Sequence, residues 1–319
     1  MKYLLLLLGF FLLIKGADLF VEGSSNIARL LRIPSIIIGL TVVAFGTSLP
    51  EASVSITAAL AGKNDLSLSN VIGSNIFNLL IVVGVSAALC PMEVQPSVLK
   101  KDFPFSILIA IILLAMGIPA AFHGEKVSIL TRTEGCILLA LFVLYLILTV
   151  REALKARQNN EGENACEGES STSIFTTIIC VIVGITGIVI GGDMVVNSAS
   201  AIALTFGWSE TFIGLTIVAL GTSLPELVTS AVAARKGESD LSLGNAIGSN
   251  IFNILLVLGA SATVHPIAIG IFSIYDTIFL IVSSIIVYLF AVHKKSLDRK
   301  EGLMMLPLYM FFFIYIVLR

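Results

Sequence analysis

Residues 36–51, IIIGLTVVAFGTSLPE, and residues 211–226, TFIGLTIVALGTSLPE, agree at 12 of 16 positions, and residues 65–78, DLSLSNVIGSNIFN, agree with 240–253, DLSLGNAIGSNIFN, at 12 of 14. Both pairs are offset by 175 residues, and the same offset aligns Gly16, Asp18, Val21, Ile27 and Ala28 with Gly191, Asp193, Val196, Ile202 and Ala203. One structural unit is written twice, and a repeat of this kind governs every topology that the rest of the chain allows.

The unit belongs in a membrane. Among 319 residues, 19 are basic and 21 acidic, 13% in all, where a soluble domain carries about 25%. Hydrophobic residues make up 57% and the mean hydropathy is +1.02. With about 20 residues needed per spanning helix, apolar windows give ten spans, at about 3–23, 36–61, 67–90, 104–122, 131–150, 174–196, 211–234, 241–264, 270–292 and 301–318. No length remains for a large soluble domain, and a net charge of −2 argues against nucleic acid as a partner. Residues 1–150 form a first five-span unit and 174–319 a second, joined by a polar linker, 151–173, too rich in Gln, Asn and Glu to bury itself. An odd number of spans per unit sends the second copy into the bilayer from the opposite side. The predicted fold is an all-α polytopic membrane protein of ten helices in two inverted-topology repeats, the plan of many secondary transporters.

Loops after odd-numbered spans carry 13 Lys and Arg, those on the opposite side 5, and Lys15 lies within the first span. The positive-inside rule then puts both termini outside and the 151–173 linker in the cytoplasm, in a multi-pass protein of the plasma (cytoplasmic) membrane. Lys2 and the apolar run after it resemble the start of a secretory signal, but no small-residue cleavage site follows and residues 16–28 recur later, so this segment is read as the first span. Cys90, Cys136, Cys166 and Cys180 have no metal-ligand spacing and imply no disulfide framework.

Glu51 and Glu226 end the two copies of GTSLPE, deep in apolar sequence. A carboxylate near a bilayer centre costs roughly 2.5–3.5 kcal/mol even on the lenient insertion scale, so two of them related by a repeat mark a functional site. Pro50 and Pro225 lack an N–H and clash with the carbonyl four residues back, which breaks helices 2 and 7 and turns carbonyls near Ala44 to Thr47, and Ala219 to Thr222, toward a ligand. Thr47, Ser48, Thr222 and Ser223 add hydroxyls within one turn. GSNIFN places Ser74 and Asn78, and likewise Ser249 and Asn253, at i and i+4 on one helical face as neutral oxygen donors. Asn75 and Asn250 read instead as polar glue between helices. Two carboxylates with hydroxyls, amides and carbonyls, and no His or Cys nearby, select a hard cation, and six to eight flexible oxygens suit Ca²⁺ better than Mg²⁺. Na⁺ or protons could neutralise the same two charges in turn, and mutually exclusive occupancy is the basis of exchange.

At these residues the chain resembles the sodium/calcium exchanger branch of the cation/calcium exchanger superfamily, in its compact prokaryotic form: paired GTSLPE and GSNIFN motifs on helices 2–3 and 7–8 of a five-plus-five repeat that covers essentially the whole chain. The resemblance implies antiport of Ca²⁺ against Na⁺ by alternating access, with no bound cofactor, no enzymatic activity and no obligate protein partner beyond the lipid bilayer. It implies as ligands the side chains of Thr47, Ser48, Glu51, Ser74, Asn78, Thr222, Ser223, Glu226, Ser249 and Asn253 and the carbonyls of Ala44 and Ala219. Asn253 stands where some relatives, including the potassium-dependent ones, carry Asp, which leans toward potassium-independent exchange. The 151–173 linker is far shorter than the regulatory insert of animal exchangers.

Two other transport readings share these residues. A Ca²⁺/H⁺ antiporter would use the same glutamates as proton acceptors but would have no need of the extra oxygens, and a cation channel would line its pore with them. An intramembrane hydrolase would need a base beside Ser48 or Ser223, and no His lies in the motif spans. The remaining polar residues receive structural expectations. Asp65 and Asp240 cap helices. Asp18 and Asp193 lie near helix ends, with Lys15 paired to Asp18 at i+3. His123, His265 and His293 are solvated, and Trp208 anchors at the interface.

Overall fold

The computed structural model describes residues 2–62, 64–122, 127–162, 173–207, 217 and 219–318. Seven of its helices are long and apolar enough to cross a membrane, and the pair Ser35–Thr47 and Leu49–Leu60, bent by 49°, makes an eighth crossing. Phe103–Phe122 occupies the place of the fourth expected span, and the segment through Ala219–Gly221 and Leu224–Arg235 that of the seventh. The chain is thus a multi-pass membrane protein. Its lipid-facing surface is what a bilayer requires: Tyr3, Leu4, Leu7 and Phe11 on the first span, Ile174 and Phe175 on the sixth and Phe311 and Leu318 on the tenth are all exposed.

Four short strands establish the inversion. Strand β1 (Met92–Glu93), after the third span, pairs antiparallel with β4 (Ser296–Leu297), after the ninth, with Met92 opposite Leu297. Strand β2 (Val127–Leu130), after the fourth span, pairs with β3 (Ile267–Gly270), after the eighth, with Leu130 opposite Ile267. Each sheet joins loops of equal parity, one from each half, so the two sheets lie on opposite faces. By the 175-residue offset β1 corresponds to β3. Corresponding loops therefore sit on opposite sides, which only an antiparallel arrangement of the two halves permits. The halves also end corresponding helices alike: Gly62 and Gly237 take φ of +70° and +79° after the second and seventh spans, the left-handed turn that closes a helix C-terminus.

The first and sixth spans, Lys2–Leu31 and Ile174–Thr205, pack on each other along a glycine seam of Gly9, Gly16 and Gly23 against Gly184, Gly187 and Gly191. A Cβ on Gly16 would lie 2.7 Å from the Ile188 nitrogen, and one on Gly191 2.5 Å from the Leu13 nitrogen, so backbone meets backbone, as in membrane helix pairs built on small residues. These two spans supply Leu13, Ala17, Phe20 and Ile188 to a small apolar cluster that Ile38, Val43, Ala233 and Leu241 complete. The larger cluster, from Ile36 to Phe312, is drawn from the other spans and surrounds the two repeated motifs.

Candidate cation site

Each repeat brings its Glu to the start of a helix. The second span runs Ser35–Ile38, a π-helical turn Gly39–Val43 and Ala44–Thr47, stops at Ser48 and restarts as Leu49–Leu60. The cause is Pro50 at the head of the new helix, where its missing N–H costs nothing. Glu51 follows in the first turn, where the positive end of the helix dipole favours a carboxylate. The seventh span repeats the device with Ala219–Gly221, a break at Thr222 and Ser223, and Leu224–Arg235 carrying Glu226 in its first turn.

Both carboxylates are fully buried, as are Thr47, Ser223, Asn78, Ser249 and Asn253, with Ser48, Ser74 and Thr222 at most 8% exposed. The two halves interlock. Ser48 Oγ donates to Glu226 Oε1 at 3.0 Å, and Ser223 Oγ to Glu51 Oε1 at 2.9 Å. The helix that begins with Glu51 packs on a π-helical turn opening at Asn253, and the one that begins with Glu226 on its counterpart opening at Asn78. π-Helical turns recur at functional sites because the extra residue re-aims a side chain without ending the helix. Between these elements Asn75 Nδ2 donates to the Asn250 carbonyl at 3.2 Å, Asn250 Nδ2 returns to the Asn75 carbonyl at 3.3 Å, and Asn253 Nδ2 reaches Asn75 Oδ1 at 3.1 Å. Asn75 and Asn250 therefore act as the expected glue.

The unpaired atoms show what such a pocket could hold. Among the described residues, Glu51 Oε2, Glu226 Oε2, Ser74 Oγ, Ser249 Oγ, Asn78 Oδ1 and Asn253 Oδ1 are buried without a hydrogen-bond partner. A buried polar atom left unpaired costs about 1–3 kcal/mol and more for a charged one, so such a set beside two carboxylates calls for a cation. Six oxygens, two of them ionised, match the lower end of Ca²⁺ coordination. No group of three or more His, Cys, Asp or Glu occurs among the described residues, so any ligand shell here would take its remaining donors from neutral oxygens.

Some expectations need correction. The Ala44 carbonyl is not free, because it accepts the Ser48 amide at 3.0 Å and has the Thr47 hydroxyl 3.4 Å away. The backbone of Ala219 opens the corresponding short helix. Asp240 does not cap its helix: Glu238 holds the N-cap position, and the Asp240 carboxylate in the first turn accepts from Gln95 Nε2 at 2.5 Å. Asp18 and Asp193 lie inside the 30- and 32-residue first and sixth spans, not at their ends. Lys15 does pair with Asp18, at 3.5 Å. Cys90, Cys136 and Cys180 are free thiols. His123, Cys166 and Trp208 lie outside the described residues, as do 163–172 of the linker. Two residues escaped the sequence reading. Asn70 Nδ2 donates to Ser55 Oγ at 2.9 Å and to the Glu51 carbonyl at 3.4 Å, and Asn245 Nδ2 to Ser230 Oγ and the Glu226 carbonyl at the same two distances. They hold the Glu-bearing turns in place. Their signal was the identical DLSL-x-N spacing in both copies.

Comparisons with known proteins agree with this geometry. The family model described as sodium/calcium exchanger protein matches residues 1–151 and 176–318. CaxA of Alkalimonas amylolytica is 43% identical over 82% of this chain and 80% of its own length. The sodium/calcium exchanger MaX1 of Methanosarcina acetivorans is 32% identical over 98% and 97%. A solved structure of the sodium-calcium exchanger NCX_Mj, soaked with 10 mM Na⁺ and zero Ca²⁺, superposes with a TM-score of 0.83 at 32% identity, covering 97% of each chain.

Proposed function

The chain belongs to the sodium/calcium exchanger protein family, and from that premise we propose that it is a secondary active antiporter exchanging Ca²⁺ for Na⁺ by alternating access around the Glu51–Glu226 site. The observation that carries the reading is the pair of buried carboxylates, each with one oxygen held by a serine of the opposite repeat and the other unpartnered. Ca²⁺ neutralises both charges at once. Na⁺ ions displace it by occupying the same oxygens, and since the two occupancies exclude each other, inward movement of one ion drives outward movement of the other. In this reading the side chains of Thr47, Ser48, Ser74, Asn78 and their counterparts Thr222, Ser223, Ser249 and Asn253 complete the shell, with the Ala44 and Ala219 carbonyls. The basic residues of the loops favour termini outside and the linker in the cytoplasm.

Reconstitution tests the reading. In proteoliposomes ⁴⁵Ca²⁺ uptake is expected to follow an outward Na⁺ gradient and to ignore the collapse of a pH gradient. Uptake driven by the pH gradient alone would transfer the assignment to Ca²⁺/H⁺ exchange, and absence of trans-stimulated counterflow would make it a channel.

A further inference from the structure

The sixth span holds a carboxylate that the central site does not use. Asp193 is exposed and lies twelve residues, about 18 Å of helix, short of the end of the span at Thr205. It borders a cavity of about 370 Å³ walled by Pro50 of the second span, Gly192 of the sixth, and Gly221, Thr222 and Pro225 of the seventh, and it is the one charged residue in that lining among the described residues. A second cavity, of about 600 Å³, lies farther along the same helix at Ala199, Ala203 and Phe206. Gly192, Val196, Ala199 and Ala203 recur at helical spacing on one face. The two cavities thus follow one stripe of the sixth span, from the broken turn at Thr222 toward the end of that span.

The first repeat has the same carboxylate without the same setting. Asp18 is held by Lys15 at 3.5 Å and Lys236 at 3.3 Å, and Lys236 Nζ also donates to the Asp18 carbonyl at 2.9 Å. The 175-residue offset puts Ile190 where Lys15 stands and Ala61 where Lys236 stands, so neither lysine recurs at the matching position of the second repeat. Asp18 is thus paired with two lysines, whereas Asp193 borders a cavity that reaches Thr222 in the break of the seventh span.

We propose that Asp193 recruits cations from the face at which the sixth span ends and feeds them to the Glu51–Glu226 site, a role that Asp18 does not share. The proposal rests on the exchange reading. A fixed charge between low-dielectric walls raises the local concentration of counter-ions and speeds their arrival, and salt screens it. The test is the Ca²⁺ dependence of exchange measured separately from each face in vesicles of known orientation. Asp193→Asn is expected to raise the half-saturating Ca²⁺ roughly tenfold from the face at which the sixth span ends, leaving the maximal rate and the opposite face unchanged. Asp193→Glu is expected to restore it, and Asp18→Asn to change neither face. In the unmodified protein, half-saturation from the Asp193 face is expected to rise more steeply with added choline chloride than from the other, a readout that requires no variant to fold. Equal salt dependence from both faces, an Asp193→Asn shift that is absent or equal on both, or a fall in maximal rate alone would overturn the proposal. An unmodified protein that exchanges no Ca²⁺ would overturn the exchange reading and this proposal together. Normal exchange with an unaltered Asp193→Asn variant would overturn only the proposal.

Discussion

The two repeats carry nearly the same sequence and pack differently. Where the second span begins it is pressed onto the start of the eighth: a Cβ on Gly39 would lie 2.9 Å from the Leu241 carbonyl, and one on Gly248 2.8 Å from Ala44 Cβ and Leu40 Cα. Every residue from Leu241 to Phe252 is buried, and Thr47 Oγ1 donates to Asn245 Oδ1 at 2.9 Å across the contact. At the corresponding start of the third span, Leu66 is 51% exposed where Leu241 is 1%, and Gly73, the counterpart of Gly248, meets no described atom within 4 Å. On the shut side, Glu238 also accepts from Ser25 and Arg29, and Lys236 from the seventh span engages Asp18. Among the described residues, one copy of the motifs thus makes a close crossing at one face, and the other copy leaves the start of its helix more exposed at the opposite face, where 211–216 lie outside the described residues. In an inverted repeat the two arrangements can trade places, and that exchange is alternating access in structural terms. Identical chemistry at the centre with unequal packing at the two ends is what a carrier requires.

The comparison can be broken most severely at the centre, where the halves should be equal. Glu51→Gln and Glu226→Gln are each expected to lower Ca²⁺ transport by at least about 100-fold, on the scale of removing a charge-assisted ligand worth about 3 kcal/mol, with the protein still extracted as a folded species. A variant of either that kept the unmodified rate would show that the repeats do not share one site. The crossings offer the next largest effect. Gly248→Ala places a methyl group against Ala44 and Leu40 and is expected to cost about 1–3 kcal/mol through overpacking, read as a lower Tm in detergent. Gly73→Ala is expected to leave the Tm nearly unchanged, and equal losses would remove the asymmetry. The smallest effect is expected at the rim. Lys236→Ala breaks a half-exposed pair with Asp18, and about 0.2–1 kcal/mol is the usual worth of such pairs. It should diminish in high salt.

The sequence held the repeat, the ten spans and the paired glutamates, because duplication and buried charge are visible without coordinates. It held less of the packing. The π-helical turns at Asn78 and Asn253 leave the i, i+4 pattern before them intact and re-phase only the helix beyond, so nothing in the spacing announced them. The pairing of β1 with β4 and β2 with β3 joins loops some 140 to 205 residues apart, beyond the reach of local pattern. Sequence alone makes Asp193 a structural residue like Asp18, because the cavity beside it is not visible in a linear pattern. The offset that revealed the repeat also shows, at Ile190 and Ala61, where the copies have diverged.

The central claim is that two repeats build one cation site, and the number of Ca²⁺ ions bound tests it most directly. Equilibrium ⁴⁵Ca²⁺ binding to purified protein in Na⁺-free buffer is expected to give one high-affinity ion per chain, lost alike in Glu51→Gln and in Glu226→Gln. Two ions per chain, with each variant losing one and keeping the other, would contradict it.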